Sequence, residues 1–180
     1  MESKIVNMEE QVILVDLNDV PTGQMEKLEA HQKGVLHRAF SVFIFNSKNE
    51  ILLQQRAKTK YHSAGLWTNT CCSHPRPGEA NLEAANRRLS EEMGMHADLS
   101  YGFNFTYKAT FGDGLTEHEL DHVFFGYSNE APVINTDEVE SFRYLSLEEL
   151  KLDIRKQPDL YTEWLKICLD EVIDYLALRK

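Results

Sequence analysis

The chain has 180 residues, 42% of them apolar and 27% charged, which suits one compact domain with a real core and leaves too little for two ordinary ones. Its formal net charge of −10 argues against a nucleic-acid surface, and no apolar run approaches the length that spans a bilayer. Three cysteines, Cys71, Cys72 and Cys168, make no disulfide framework, and the opening MESKIVNMEEQ lacks the basic start and apolar core of a secretory signal, so the cytoplasm is the expected setting.

Residues 1–10 are expected to form a loosely ordered tail on a single domain that takes in the chain, 1–180. Val12 to Val15 predicts a strand that runs into the turn-rich stretch Asp16 to Gly23. The segment Lys27 to His37 is polar and carries two histidines. Ala39 to Phe45 and Ile51 to Gln55, rich in branched and aromatic residues and separated by Asn46-Ser47-Lys48-Asn49, predict a hairpin, and Arg56 to Ala64 follows as a basic loop. Around Cys72 and His74 a turn is expected, because Pro75, Pro77 and Gly78 forbid a regular helix or central strand. A helix then opens with Asn81 as N-cap, carries Leu82, Ala85, Leu89 and Met93 on one stripe, and ends near Gly94.

Phe103 to Thr110 and Thr116 to Tyr127 predict two strands around a turn at Gly112-Asp113-Gly114. Val139 to Leu145 predicts another, and Ser146-Leu147-Glu148-Glu149 is a capping box for a short helix that stops at Pro158. The last helix carries Trp164, Ile167, Cys168, Val172 and Leu176. Strands flanked by helices without strict alternation imply an α+β fold with a mixed sheet covered on both faces.

Two stretches carry chemistry. On the helix after the Cys72 loop, Arg88 and Glu92 lie four apart, as do Arg87 and Glu91, so a cation and a carboxylate can hold a phosphate and a metal together; the plain alternative is a solvated charged face. In Glu117-His118-Glu119 the strand period of two puts both glutamates on one side, where they repel unless a cation shares them or solvent screens them on an edge strand. Taken singly, Cys72, Tyr107 and Trp164 each also fit plain packing, and Cys72 beside His74 also fits a thiol hydrolase.

From Ser73 the chain follows the Nudix box G-x5-E-x7-R-E-U-x-E-E-x-G-U through Glu79, Arg87, Leu89, Glu91, Glu92, Gly94 and Met95, with Ser73 in place of the first glycine and Arg88 in place of the glutamate after the arginine. Those departures, with the preceding run Trp67 to Pro75, resemble the type I isopentenyl diphosphate isomerases, a Nudix-fold branch that isomerises rather than hydrolyses. The resemblance implies a mixed Nudix sheet between helices and a site for a divalent ion, manganese, magnesium or zinc, on His31, His37, His74, Glu117 and Glu119. It further implies a magnesium bridging the substrate diphosphate, held by Glu92 with the backbone carbonyl of Cys72. Cys72 and Glu119 become the proton-transfer pair, Tyr107 the partner of the glutamate, Trp164 the aromatic face toward a carbocation, and Lys27, Arg56, Lys60 and Arg88 the cations for the diphosphate. His62, His96, His118 and His122 match no ligand position and are read as structural or solvated. The alternatives are a hydrolase of a nucleoside or other diphosphate, which Glu79, Arg87, Glu91 and Glu92 would serve, and a catalytically silent metal-binding protein.

Overall fold

A computed structural model describes residues 10–179, so the expected N-terminal tail lies, Glu10 apart, outside the described residues. In chain order the elements are β1 (Gln11–Val15), β2 (Pro21–Glu26), α1 (Lys27–Lys33), β3 (His37–Phe45), β4 (Glu50–Arg56), β5 (Trp67–Thr68), β6 (Cys71–Ser73), α2 (Asn81–Met93), β7 (Ser100–Thr110), β8 (Thr116–Tyr127), β9 (Val139–Ser146), α3 (Leu147–Lys156) and α4 (Glu163–Ala177). Two of these, β2 and α1, arise where only turn-rich and polar sequence was read. Glu26 explains the second: its carboxylate accepts from the Leu28 and Glu29 N–H groups, capping a helix too short to show a stripe.

The sheet is mixed. β8 runs parallel to β3 on one side and antiparallel to β7 on the other, while β9 pairs antiparallel with β4. Alternate residues of the central strands face opposite layers. Phe40, Val42 and Ile44 of β3, Leu52 of β4 and Phe124 of β8 pack with Ala84, Ala85, Leu89 and Met93 of α2. Phe43, Phe45, Ile51, Leu53, Val123 and Phe125 pack with Leu165, Cys168, Leu169 and Val172 of α4 and Leu150 of α3. A period of two with both faces apolar is the signature of a sheet between helices, and it bears out the α+β reading.

The expected hairpin closes only at its turn. Phe45 faces Ile51, and the two strands then part. Residues 67–73 fill the gap, β5 pairing with β4 and β6 with β3. Buried side chains complete the ladder where backbone pairing lapses: Thr70 Oγ1 accepts from Ile44 N–H at 2.9 Å and donates to the Leu52 carbonyl at 2.6 Å, while Asn69 Nδ2 donates to the carbonyls of Val42 and Cys71. This wedge carries Cys72 directly opposite Ser41. The turn expected at Cys72 is therefore a short strand through Ser73, and the prolines act only after it.

Helix α2 begins at Asn81, but its N-cap is Ala80, whose N–H is satisfied by the Glu83 carboxylate at 3.3 Å; Asn81 is not the cap. Leu82 is largely exposed, and Ala84 takes its place on the buried stripe; Ile167 of α4 is likewise exposed. Gly94 ends α2 with φ of 61°, and a Cβ there would meet the Val133 carbonyl oxygen at 2.5 Å, so glycine is required by both conformation and space.

Candidate active site

The odd-numbered residues of β8 that face α4 change character along the strand. Val123 and Phe125 belong to the core, whereas Glu117, Glu119 and Asp121, all buried, form a row of three acids on the same face. Register supplies their neighbours: His37 of β3 and Tyr107 of β7 lie directly across from Glu119. Ser41, opposite Cys72, donates to Asp121 at 2.8 Å. Cys72, His74, Tyr107, Glu117, Glu119, Asp121 and Trp164 thus line one cavity, whose mouth carries Lys27, Arg56, Lys60 and Arg88.

At the inner end, three imidazoles converge on one oxygen. The Nε2 atoms of His31, His37 and His74 stand 3.8, 3.4 and 2.9 Å from Glu119 Oε1. His31 and His37 donate from Nδ1 to the carbonyls of Lys27 and Val35, at 2.6 and 2.8 Å, which leaves each Nε2 as a lone pair. Those two lone pairs are buried without a partner and aimed at a carboxylate. Lone pairs gathered this way repel unless a cation sits among them, so the donor set fits a divalent metal, with carbonyl acceptors holding the ligand rings as metal-binding histidines require. His31, His37, His74 and Glu119 form one such group. Glu117 stands in a second, with His31 and His62.

The electrostatics separate the acids. Burial would raise Glu119, but the imidazoles around it, His74 first, hold its carboxyl well below the usual range. Burial, and then the neighbouring Glu119 charge, push Glu117 up, and the same two causes raise Asp121. Tyr107 Oη donates to Glu119 at 2.7 Å and lies 2.9 Å from Glu117 Oε2, a link between the two carboxylates. Burial pushes the Cys72 thiol up and lowers His74 to about 4.

The outer end is a set of cations already matched by protein acids. Lys27 pairs with Glu10 at 2.9 Å; Arg88 donates to Glu91 at 2.7 Å and Glu92 at 2.5 Å; Lys60 and Arg88 share Glu138. Glu92 is buried and also accepts from Gln54 at 2.8 Å. Arg56 donates to the carbonyls of Ser63 and His62, and its guanidinium lies 5.2 Å from the Trp164 ring centroid. The remaining pair of the box is structural. Arg87 grips Glu79 with a two-pronged contact at 2.6 and 2.9 Å, tying the loop after β6 to α2.

Four participants escaped the sequence reading. Asp121 had a signal, since it continues the i, i+2, i+4 parity of Glu117 and Glu119; Gln54 and Glu138 had none, because tertiary pairing alone brings them in. His62 is corrected: it is a buried wall of the site, 3.3 Å from Glu117, and burial followed by the Arg56 charge lowers it to about 3. His96 is exposed, His118 reaches the Gly34 carbonyl, and His122 pairs with Asp19 away from the cavity.

Comparison with known proteins agrees with this geometry. The NUDIX domain model matches residues 35–165. Isopentenyl-diphosphate Delta-isomerase 2 of Aromatoleum aromaticum is 53% identical over 171 residues, covering 95% of this chain and 90% of that one. Isopentenyl-diphosphate Delta-isomerase of Pectobacterium atrosepticum is 53% identical over 165 residues, 92% of each. Among solved structures, DR0079 of Deinococcus radiodurans superposes with a TM-score of 0.76 at 17% identity, over 90% of this chain and 98% of that one, and a MutT NUDIX hydrolase of Burkholderia pseudomallei with 0.61 at 20%, over 76% and 98%. These two show the fold. With half of its residues shared along nearly its full length, the chain belongs to the isopentenyl-diphosphate Delta-isomerase family, type I, of the Nudix superfamily.

Proposed function

We propose that the chain interconverts isopentenyl diphosphate and dimethylallyl diphosphate by adding a proton to the alkene and removing another from the neighbouring carbon. The observation that carries the reading is the placement of Cys72 and Glu119, from different strands, in the walls of one cavity with Tyr107 on Glu119 and Trp164 beside them. Burial keeps the Cys72 thiol protonated while Glu119 is held as a carboxylate, so one group brings a proton and the other lacks one. The reaction runs both ways, and the two exchange roles with its direction. Between the two transfers the tail is a tertiary carbocation, which the Trp164 face stabilises.

His31, His37, His74, Glu117 and Glu119 would hold a divalent metal, manganese, magnesium or zinc, whose positive charge would hold Glu119 in place and favour charge movement in the cavity. Glu92, with the Cys72 carbonyl, would hold a magnesium against the diphosphate, and Lys27, Arg56, Lys60 and Arg88 would bind its oxygens. Two of the box acids that a hydrolase would use, Glu79 and Glu91, are taken up by Arg87 and Arg88. No helix among the described residues is long and apolar enough to cross a membrane, and the three cysteines are free.

The test is incubation with isopentenyl diphosphate and magnesium in deuterated water. Dimethylallyl diphosphate carrying deuterium is expected. Absence of both product and exchange would end the proposal, and phosphate or nucleoside monophosphate release insensitive to Cys72→Ala would replace it with a hydrolase.

A further inference from the structure

The two ligand groups overlap in a way that constrains them. One holds His31, His37, His74 and Glu119, the other His31, His62 and Glu117, and His31 belongs to both. With its Nδ1 committed to the Lys27 carbonyl, His31 has a single lone pair to give, and Nε2 is buried without a partner. One lone pair serves one ion. The two carboxylates are joined as well, because the Tyr107 hydroxyl lies within hydrogen-bonding distance of both Glu117 and Glu119. The two groups thus share one ligand and one hydrogen-bonding hydroxyl.

His62 is set for that centre by everything around it. Its ring is stacked on Phe111 at 5.2 Å with planes 17° apart and meets the Tyr61 ring edge-on at 4.7 Å. Its Nδ1 faces Ser63 Oγ at 3.3 Å, which leaves Nε2 toward Glu117 Oε1, also at 3.3 Å. Arg56 pins the backbone of this loop by donating to the His62 and Ser63 carbonyls.

We propose that His62 is a further protein ligand of the metal centre, giving it four imidazoles, His31, His37, His62 and His74, and two carboxylates, Glu117 and Glu119. The inference rests on the metal-centre reading above and extends it. Six protein ligands fill an octahedron and leave no position for water, in keeping with a reaction that water would spoil. A nitrogen-rich set also favours a borderline transition ion such as cobalt or zinc over magnesium.

The full-length protein, stripped by chelation and reloaded with cobalt(II) alone, tests it by proton NMR, in which each coordinated imidazole contributes one exchangeable, hyperfine-shifted N–H signal. Four are expected for the unsubstituted protein and for His118→Gln, and three for His62→Gln, together with a fall in cobalt affinity of about tenfold or more. Three signals in the unsubstituted protein, unchanged in His62→Gln, would overturn the assignment even if affinity falls, because His62 would then only orient Glu117. Should His62→Gln fail to fold, the unsubstituted count decides alone. Failure to take up cobalt at all would instead sink the metal centre on which the inference stands.

Discussion

The inner and outer ends of the cavity carry different groups, acids with imidazoles inside and paired cations at the mouth, and are built from different material. Inside, strands β3, β6, β7 and β8 fix His37, Cys72, Tyr107 and Glu119 by register, His74 directly follows β6, and the Nε2 lone pairs of His31 and His37 have no partner. At the mouth, a loop and two helices present Lys60, Lys27 and Arg88, each already neutralised by Glu138, Glu10, Glu91 or Glu92. On the proposed function the interior holds the ion and carries out the chemistry, whereas the rim holds ion pairs that an anionic substrate can re-form around itself.

That division is broken most severely at the inner end. Cys72→Ala and Glu119→Gln are each expected to lower kcat by about a thousandfold or more with little change in KM for isopentenyl diphosphate, since each removes a proton-transfer group. Steady-state kinetics with metal content measured in parallel decides it; near-normal turnover in either variant moves the chemistry elsewhere. At the rim the effect is smaller and falls on a different constant. Arg88→Lys keeps the charge but loses the planar fork, so KM should rise about tenfold while kcat holds. A loss confined to kcat would erase the boundary between the two ends.

The smallest effect lies outside both. Glu79 is held below its usual range, mainly by the Arg87 hydrogen bond, so its contribution to stability is present above the unfolded carboxylate value of 4.5 and is lost as pH falls through the lower folded value. Ion pairs near the surface are worth about 1 kcal/mol or less, so Glu79→Gln should lower Tm by a few degrees at pH 7 and by progressively less as the solution is acidified below pH 4.5. A difference that stays constant in acid would show that Glu79 acts through packing, and activity should follow stability rather than either end of the cavity.

Much of this was legible in the residues. The period of two in Thr116 to Tyr127 placed Glu117 and Glu119 together, the spacing from Glu79 to Met95 announced α2 and its ion pairs, and the same parity would have delivered Asp121. Local pattern did not reveal α1, whose seven residues depend on the Glu26 cap, nor the parting of β3 from β4, which depends on Thr70 and Asn69 filling the gap from a distant segment. His62 shows the limit most clearly. A histidine in a basic loop has no periodicity, and its place beside Glu117 comes from Arg56 anchoring the loop and Phe111 stacking on the ring. The sequence by itself determined which donors exist and which share a strand face, because those follow from chain geometry over a few residues. Only the tertiary structure decided which donors meet, because bringing residues 31, 37, 74 and 119 together, with 62 and 117 grouped beside them around residue 31, depends on sheet register and loop packing between segments far apart in the chain.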